Sequence, residues 1–184
     1  GGPWNLPNHP RVGVNWYEAM AFCRWLTDRL RERGGLAEDQ EITLPTEPQW
    51  EKAARGKDGR RFAWGLDPDP NRANYSDLGV DTTSAVGAFP GGISPYGLAD
   101  ANGNVWEWTS SLWGKDWDDP EFVYPYNPED KREVVSVSDE IPRILRGGAF
   151  YNEPRFIRCA HRLRDIPLIR MKSYGFRVVI VSLS

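Results

Sequence analysis

The chain has 184 residues, 40% of them hydrophobic and 27% charged, with a net charge of −3. That size and balance fit one soluble globular domain spanning 1–184, with no whole-protein pull toward nucleic acid or an anionic membrane surface. No apolar run reaches the ~18 residues a membrane span needs, and no signal peptide is visible.

The opening, GGPWNLPNHP, reads as the interior of a longer protein, so a fused N-terminal portion is expected. The first helix opens at Asn15, an N-cap with Glu18 three residues on, as a capping box requires. Ala19, Phe22, Cys23, Leu26 and Leu30 follow at helical spacing, and Gly34-Gly35 ends the segment. Thr46 caps a second helix, with Pro48 in its first turn and Gln49 completing a capping box; it stops near Arg55-Gly56.

Beyond residue 57 the pattern predicts no further helix. Phe62 to Gly65 reads as a short strand or turn, and residues 66–103 as a long excursion rich in Asp, Pro, Asn, Gly and Thr. A loop of that length in a compact domain is normally functional or pinned, for example by an ion. Residues 104–110 alternate and predict a strand. Residues 111–140 form a second irregular insertion, aromatic and acidic, and strands are expected at 143–146 and 175–181. With nine Trp, eighteen Gly and fifteen Pro, loops must take a large share of the chain, and tryptophans supply its packing. Arg146, Arg158, Arg162 and Arg177 are expected to hold loop carbonyls or carboxylates. Gly147, Gly148 and Gly175 are expected to serve backbone geometry.

Five motifs stand in order: LPTEPQWEKAARG, YGLADANGNVWEWTSS, RILRGGAF, RCAHR and YGFRVV. Together they resemble the formylglycine-generating enzyme/sulfatase-modifying factor family, over nearly the whole chain. The resemblance implies an α+β, C-type lectin-like fold with two helices, short antiparallel strands and many loops. It also implies a copper site on two cysteines just after the RGGS-like motif. Here Asn152 and a position near Pro154 stand in their place, and neither supplies the soft sulfur that copper(I) takes. A second branch of the family holds iron with three histidines. This chain has only His9 and His161, not spaced as ligands, so neither copper nor iron is expected and the chain is read as non-enzymatic.

Cys23 and Cys159 match structural cysteines of the resembled enzyme, whose partners would stand at Val178 and Ala54. With both partners absent, two free, buried thiols are expected, which suits a reducing compartment and a cytoplasmic location. The resemblance further implies structural calcium. Asp100, Gly103, Val105 and Glu107 match one site, and Asn74, Tyr75, Asp81 and Thr83 the other.

The stretch RDIPLIRMKSYGFR carries Ile166, Leu168, Ile169 and Met171 where polar residues are usual for the family. A fixed frame with unexpected filling resembles the variable proteins of diversity-generating retroelements, which diversify a short C-terminal stretch ending near a GFR motif. The diversified, partner-facing positions would be Tyr151, Asn152, Phe156, Asp165, Ile166, Leu168, Ile169, Met171, Lys172 and Ser173. Aromatic and Met anchors suit a protein or other macromolecular partner. From Arg143 to Arg177, eight Arg and one Lys face only Glu153 and Asp165. The acidic remainder offsets that charge, so nucleic acid is not the expected ligand. The alternatives are a formylglycine-generating-enzyme-like oxidase, or a non-catalytic accessory domain whose apolar tail packs on another segment.

Overall fold

The computed structural model describes residues 6–183; residues 1–5 and 184, the two ends of the expected 1–184 domain, lie outside the described residues. Both predicted helices form with their predicted caps. Helix α1 (Trp16–Glu32) starts where the Asn15 side chain accepts the Glu18 amide at 2.9 Å and Glu18 accepts the Asn15 amide at 2.9 Å. Helix α2 (Glu47–Arg55) starts at Thr46, whose hydroxyl accepts the Gln49 amide while Gln49 accepts the Thr46 amide. These reciprocal bonds satisfy amides that the first turn leaves without partners.

A two-stranded antiparallel sheet joins β1 (Gln40–Thr43) to β6 (Val179–Ser182), with Ile42 opposite Ile180. A four-stranded sheet has the order β4 (Leu163–Asp165), β3 (Arg143–Arg146), β2 (Trp106–Leu112), β5 (Tyr174–Phe176). Its pairs are antiparallel except β2–β5, which runs parallel with Glu107 opposite Gly175. The single strand expected at 175–181 is therefore two strands in two sheets. Short 3-10 turns at Ser76–Leu78, Pro90–Gly92 and Pro154–Phe156 punctuate the loops.

Every residue of β2 is buried, because the strand is covered on both faces. Trp106 and Trp108 enter the main core with Trp16, Ala19, Met20 and Cys23 of α1. Glu107 and Ser111 meet the α2 side, where Glu107 accepts the Trp50 indole N–H and Ser111 accepts the Glu47 amide. Phe22, expected on the buried stripe of α1, is instead 40% exposed, touching Phe176 and Trp25 at the rim.

Where sheet ladders are short, arginines supply the missing partners. Arg146 is fully buried and donates to the Cys159, Ala160 and His161 carbonyls and to Glu47 and Glu51. Arg162 grips both oxygens of Glu47, at 2.7 and 2.9 Å. Arg177 does the same to Glu107. Within the insertion, buried Arg132 binds Asp130 and the Val123 carbonyl and lies over the rings of Phe122, Tyr124 and Tyr126. Gly175 is held to glycine by a close approach: a Cβ there would come 2.8 Å from the Arg11 carbonyl oxygen.

Two predictions follow from this packing. Glu47→Gln keeps the shape but takes the counter-ion from half-buried Arg162 and leaves buried Arg146 with Glu51 alone, so urea denaturation should show a loss of roughly 3 kcal/mol. His161 packs against Trp106 and Phe156, and burial, then Arg158 and Arg146, pull its pKa from 6.5 down to about 4. The unfolded chain therefore binds more protons between those values. This contribution is complete above pH 6.5 and is lost as pH falls toward 4. Melting curves across that range should show His161→Phe losing less stability on acidification than the wild type.

Candidate ligand-facing surface

Each basic anchor of the tail is tied to a distant partner. Arg162 holds Glu47 and Arg177 holds Glu107. Arg170 forms a two-point pair with Glu18 on α1. Arg164 bonds the Trp117 carbonyl and lies over the Trp113 and Trp117 rings. Pro167 is buried, and its carbonyl accepts the Trp16 amide at 3.0 Å, so the tail turn itself closes the N-terminus of α1. The Met171 carbonyl accepts the Gly13 and Tyr174 amides.

Between these anchors the expected surface positions separate by depth. Tyr151, Leu168 and Met171 are 47%, 49% and 49% exposed, and Lys172 is exposed as well. Phe156 and Ile169 are half-buried and pack onto the main core. Ile166 is half-buried, its carbonyl accepting the Ile169 amide. Asn152 and Asp165 are committed to local structure. The Asn152 side chain accepts the Ala149 amide at 2.8 Å, and Asp165 accepts the Ile166 amide and the Tyr174 hydroxyl. Ser173 departs from the expectation: it is 3% exposed and does not face a partner. Its carbonyl accepts the Trp106 amide where β5 begins to pair with β2, which carries the side chain inward. The Tyr151 hydroxyl lies 3.3 Å from Ser173 Oγ, so the loop after RGGA and the tail turn meet there.

The positions matched to the copper-binding cysteines serve the turn. Besides its side-chain bond, Asn152 offers its carbonyl to the Ser76 amide, and Pro154 opens a 3-10 turn. Cys23 and Cys159 are both free and buried, in different clusters of the core. Burial raises the Cys23 thiol to about 11 and pushes the Cys159 thiol up as well.

For calcium, Asp100, Val105 and Glu107 line one cavity of about 240 Å³ together with Arg177, whereas Gly103 is tied by its amide to the Gly147 carbonyl. Burial, and secondarily the neighbouring Glu107, raise the Asp100 pKa against the pull of the Gly87 amide and Arg177. In the other set, Asn74 is 1% exposed and its Oδ1 is buried without a hydrogen-bond partner, an acceptor left open. Tyr75, next to it in the chain, and Thr83 are both buried, and Thr83 bonds His9; Asp81 is exposed with φ 54°. Among the described residues no three His, Cys, Asp or Glu side chains converge, so a cation here would draw on amide and carbonyl oxygens.

Sequence reasoning missed Glu47, the carboxylate at the centre of the frame. Its one legible signal is an acidic residue directly after the Thr46 cap, which by itself reads as an ordinary first-turn acid. It also missed Asn102, whose amide bridges the Ala63 N–H and the Ile157 carbonyl.

Among curated proteins, the chain is 35% identical to the serine/threonine-protein kinase pkn1 of Chlamydia pneumoniae, over 92% of this chain and 23% of that protein. It is 33% identical to the formylglycine-generating enzyme of Thermomonospora curvata, over 93% of this chain and 55% of the enzyme. The chain thus spans about a quarter of the kinase and about half of the enzyme. Among solved structures, Treponema denticola variable protein 1 superposes with a TM-score of 0.76 at 26% identity, over 99% of this chain and 74% of that one. PvdO from Pseudomonas aeruginosa superposes with a TM-score of 0.70 at 23% identity, over 97% of this chain and 64% of that one, a likeness of fold. The sulfatase-modifying factor enzyme 1-like domain matches residues 4–181, and the chain belongs to that family.

Proposed function

We propose that the chain is a non-enzymatic binding module that presents Tyr151, Leu168 and Met171 to a protein partner. The observation that carries this reading is the exposure of Leu168 and Met171 between the paired arginines Arg162, Arg170 and Arg177, with Tyr151 exposed on the adjoining loop whose hydroxyl meets Ser173. Phe156, Ile166 and Ile169 form the half-buried footing, with Lys172 at the edge. The likeness to a protein named a variable protein supports the reading, as does the use of Asn152 and Pro154 for turn geometry. The two buried thiols fit a reducing compartment such as the cytoplasm. A second reading, an accessory domain within a larger enzyme, is favoured by relatives that carry this domain as a quarter to a half of their length. Diversification by a retroelement would show as a neighbouring reverse transcriptase gene and a near-copy of the codons for 146–177, differing at template adenines.

We also propose structural calcium. Half-buried Asp100 and buried Glu107 put two carboxylates against one lining cation, Arg177, and Asn74 Oδ1 lacks a donor. Hard oxygen donors on irregular loops are what calcium takes, and an ion there would pin the 66–103 excursion.

Two predictions test these readings. Tyr151→Ala, Leu168→Asn and Met171→Asn together should leave the melting temperature within a degree or two, whereas Ile169→Asn should lower stability by roughly 2–4 kcal/mol. A partner captured through a photo-crosslinking side chain placed at position 172 should be lost when the triple substitution is added. A partner kept by that variant, or oxygen uptake with a thiol substrate and added copper, would contradict the binding-module reading. For calcium, saturation at one hundred times Kd should add about 2.7 kcal/mol to stability, reversed by chelation. Asn74→Ala and Asp100→Ala assign the gain to one loop or the other.

A further inference from the structure

Independently of the apolar surface, a cavity of about 510 Å³ is lined by Arg55, Arg60, Arg61, Arg158 and Arg162, with His161 in its wall. Among the described residues no carboxylate lines it. Three of the guanidiniums are already matched: Arg55 by Glu51, Arg60 by Asp58 and Arg162 by Glu47. Arg61 and Arg158 are exposed, and among the described residues neither meets a carboxylate. Both are held as neighbours, because the Cys159 amide donates to the Arg61 carbonyl at 2.7 Å. The Arg158 Nε–H is bound to the Arg155 carbonyl, which steadies the stem of that side chain.

We infer that this cleft binds a small molecule carrying a phosphate monoester, with the phosphate between Arg61 and Arg158. Two uncompensated guanidiniums match a dianion, and each offers a planar fork suited to phosphate oxygens. The volume lies inside the roughly 300–1,000 Å³ range of small-molecule pockets. Leu66 and the His161 ring, both lining the cavity, give the organic part an apolar wall. A long polyanion is disfavoured by the net charge of −3 and by the carboxylates of Asp58 and Glu51 close behind the rim. His161 reports on occupancy, because the surrounding positive charge that helps to hold it neutral would be offset by a bound anion.

The test is an NMR titration of the His161 ring with inorganic phosphate, AMP and O-phosphoserine, alongside calorimetry. Expected is saturable one-to-one binding that raises the His161 midpoint. AMP or O-phosphoserine should bind at least tenfold more tightly than inorganic phosphate. Arg61→Ala and Arg158→Ala should each weaken binding about tenfold, and together about a hundredfold, with the melting temperature unchanged. The inference is overturned by the absence of a saturable shift at tens of millimolar phosphate, by binding that survives the double variant, or by monoesters that bind no better than phosphate itself.

Discussion

The fold depends on one buried carboxylate. Glu47 is 0% exposed, receives both arms of Arg162, accepts from Arg146, and gives its own amide to Ser111. It thereby ties α2 to β2, to β3 and to the start of the tail. A chain with such short strands has many carbonyls outside any ladder, and each needs a donor when buried. A guanidinium answers several at once. Arg146 closes three consecutive carbonyls, those of Cys159, Ala160 and His161, which no strand neighbour reaches. The charge that this introduces is tolerated because Glu47 and Glu51 face it.

A second node repeats the design beside the first, since Glu107 stands opposite Arg146 in the β2–β3 pairing. Glu107 lies between the Trp50 indole and Arg177, and Arg177 also reaches the Ala99 and Asp100 carbonyls. The long excursion is thus sewn to the last strands. Between the nodes the tail is fastened by Arg170 to Glu18 and by the Pro167 carbonyl to Trp16. Fixing the backbone at these points leaves Leu168 and Met171 exposed, while Ile169 between them packs onto the core. That separation of duties is what allows Leu168 and Met171 to stand in water without the turn collapsing over them.

The elements legible in the sequence are those whose signal is local. Both helices could be read from their caps, since a capping box specifies its own hydrogen bonds within four residues. The α+β class and the strands at β2 and β3 were also readable, with Trp106 and Trp108 alternating into the core. What escaped is non-local. β1 and β4 are too short to show a period, and they exist because β6 and β3 lie beside them. The break between β5 and β6 reflects a change of partner sheet, to which the apolar run carries no clue. Ser173 reads as a polar loop residue, yet the parallel pairing of β5 with β2 buries it. Phe22 fits a helical stripe, but the stripe extends past the edge of the sheet that α1 covers.

The depth gradient across the candidate surface bears on how such a site would gain affinity. Side chains that move freely in water lose rotamer entropy when a partner immobilises them, at about 0.5–1.5 kcal/mol each. Phe156 and Ile169 are already restrained by the core beneath them, and Tyr151 is steadied by its hydroxyl near Ser173. Under the proposed binding role, much of the ordering would therefore be done before a partner arrived, leaving Leu168 and Met171 as the adaptable contacts. Methionine suits that task, because its unbranched thioether reshapes at little cost. An apolar surface that is part footing and part adaptable crest differs in kind from one whose residues await burial by their own chain. In the latter, the anchoring bonds would be completed only on closure; here Arg162, Arg170 and Arg177 already have their partners.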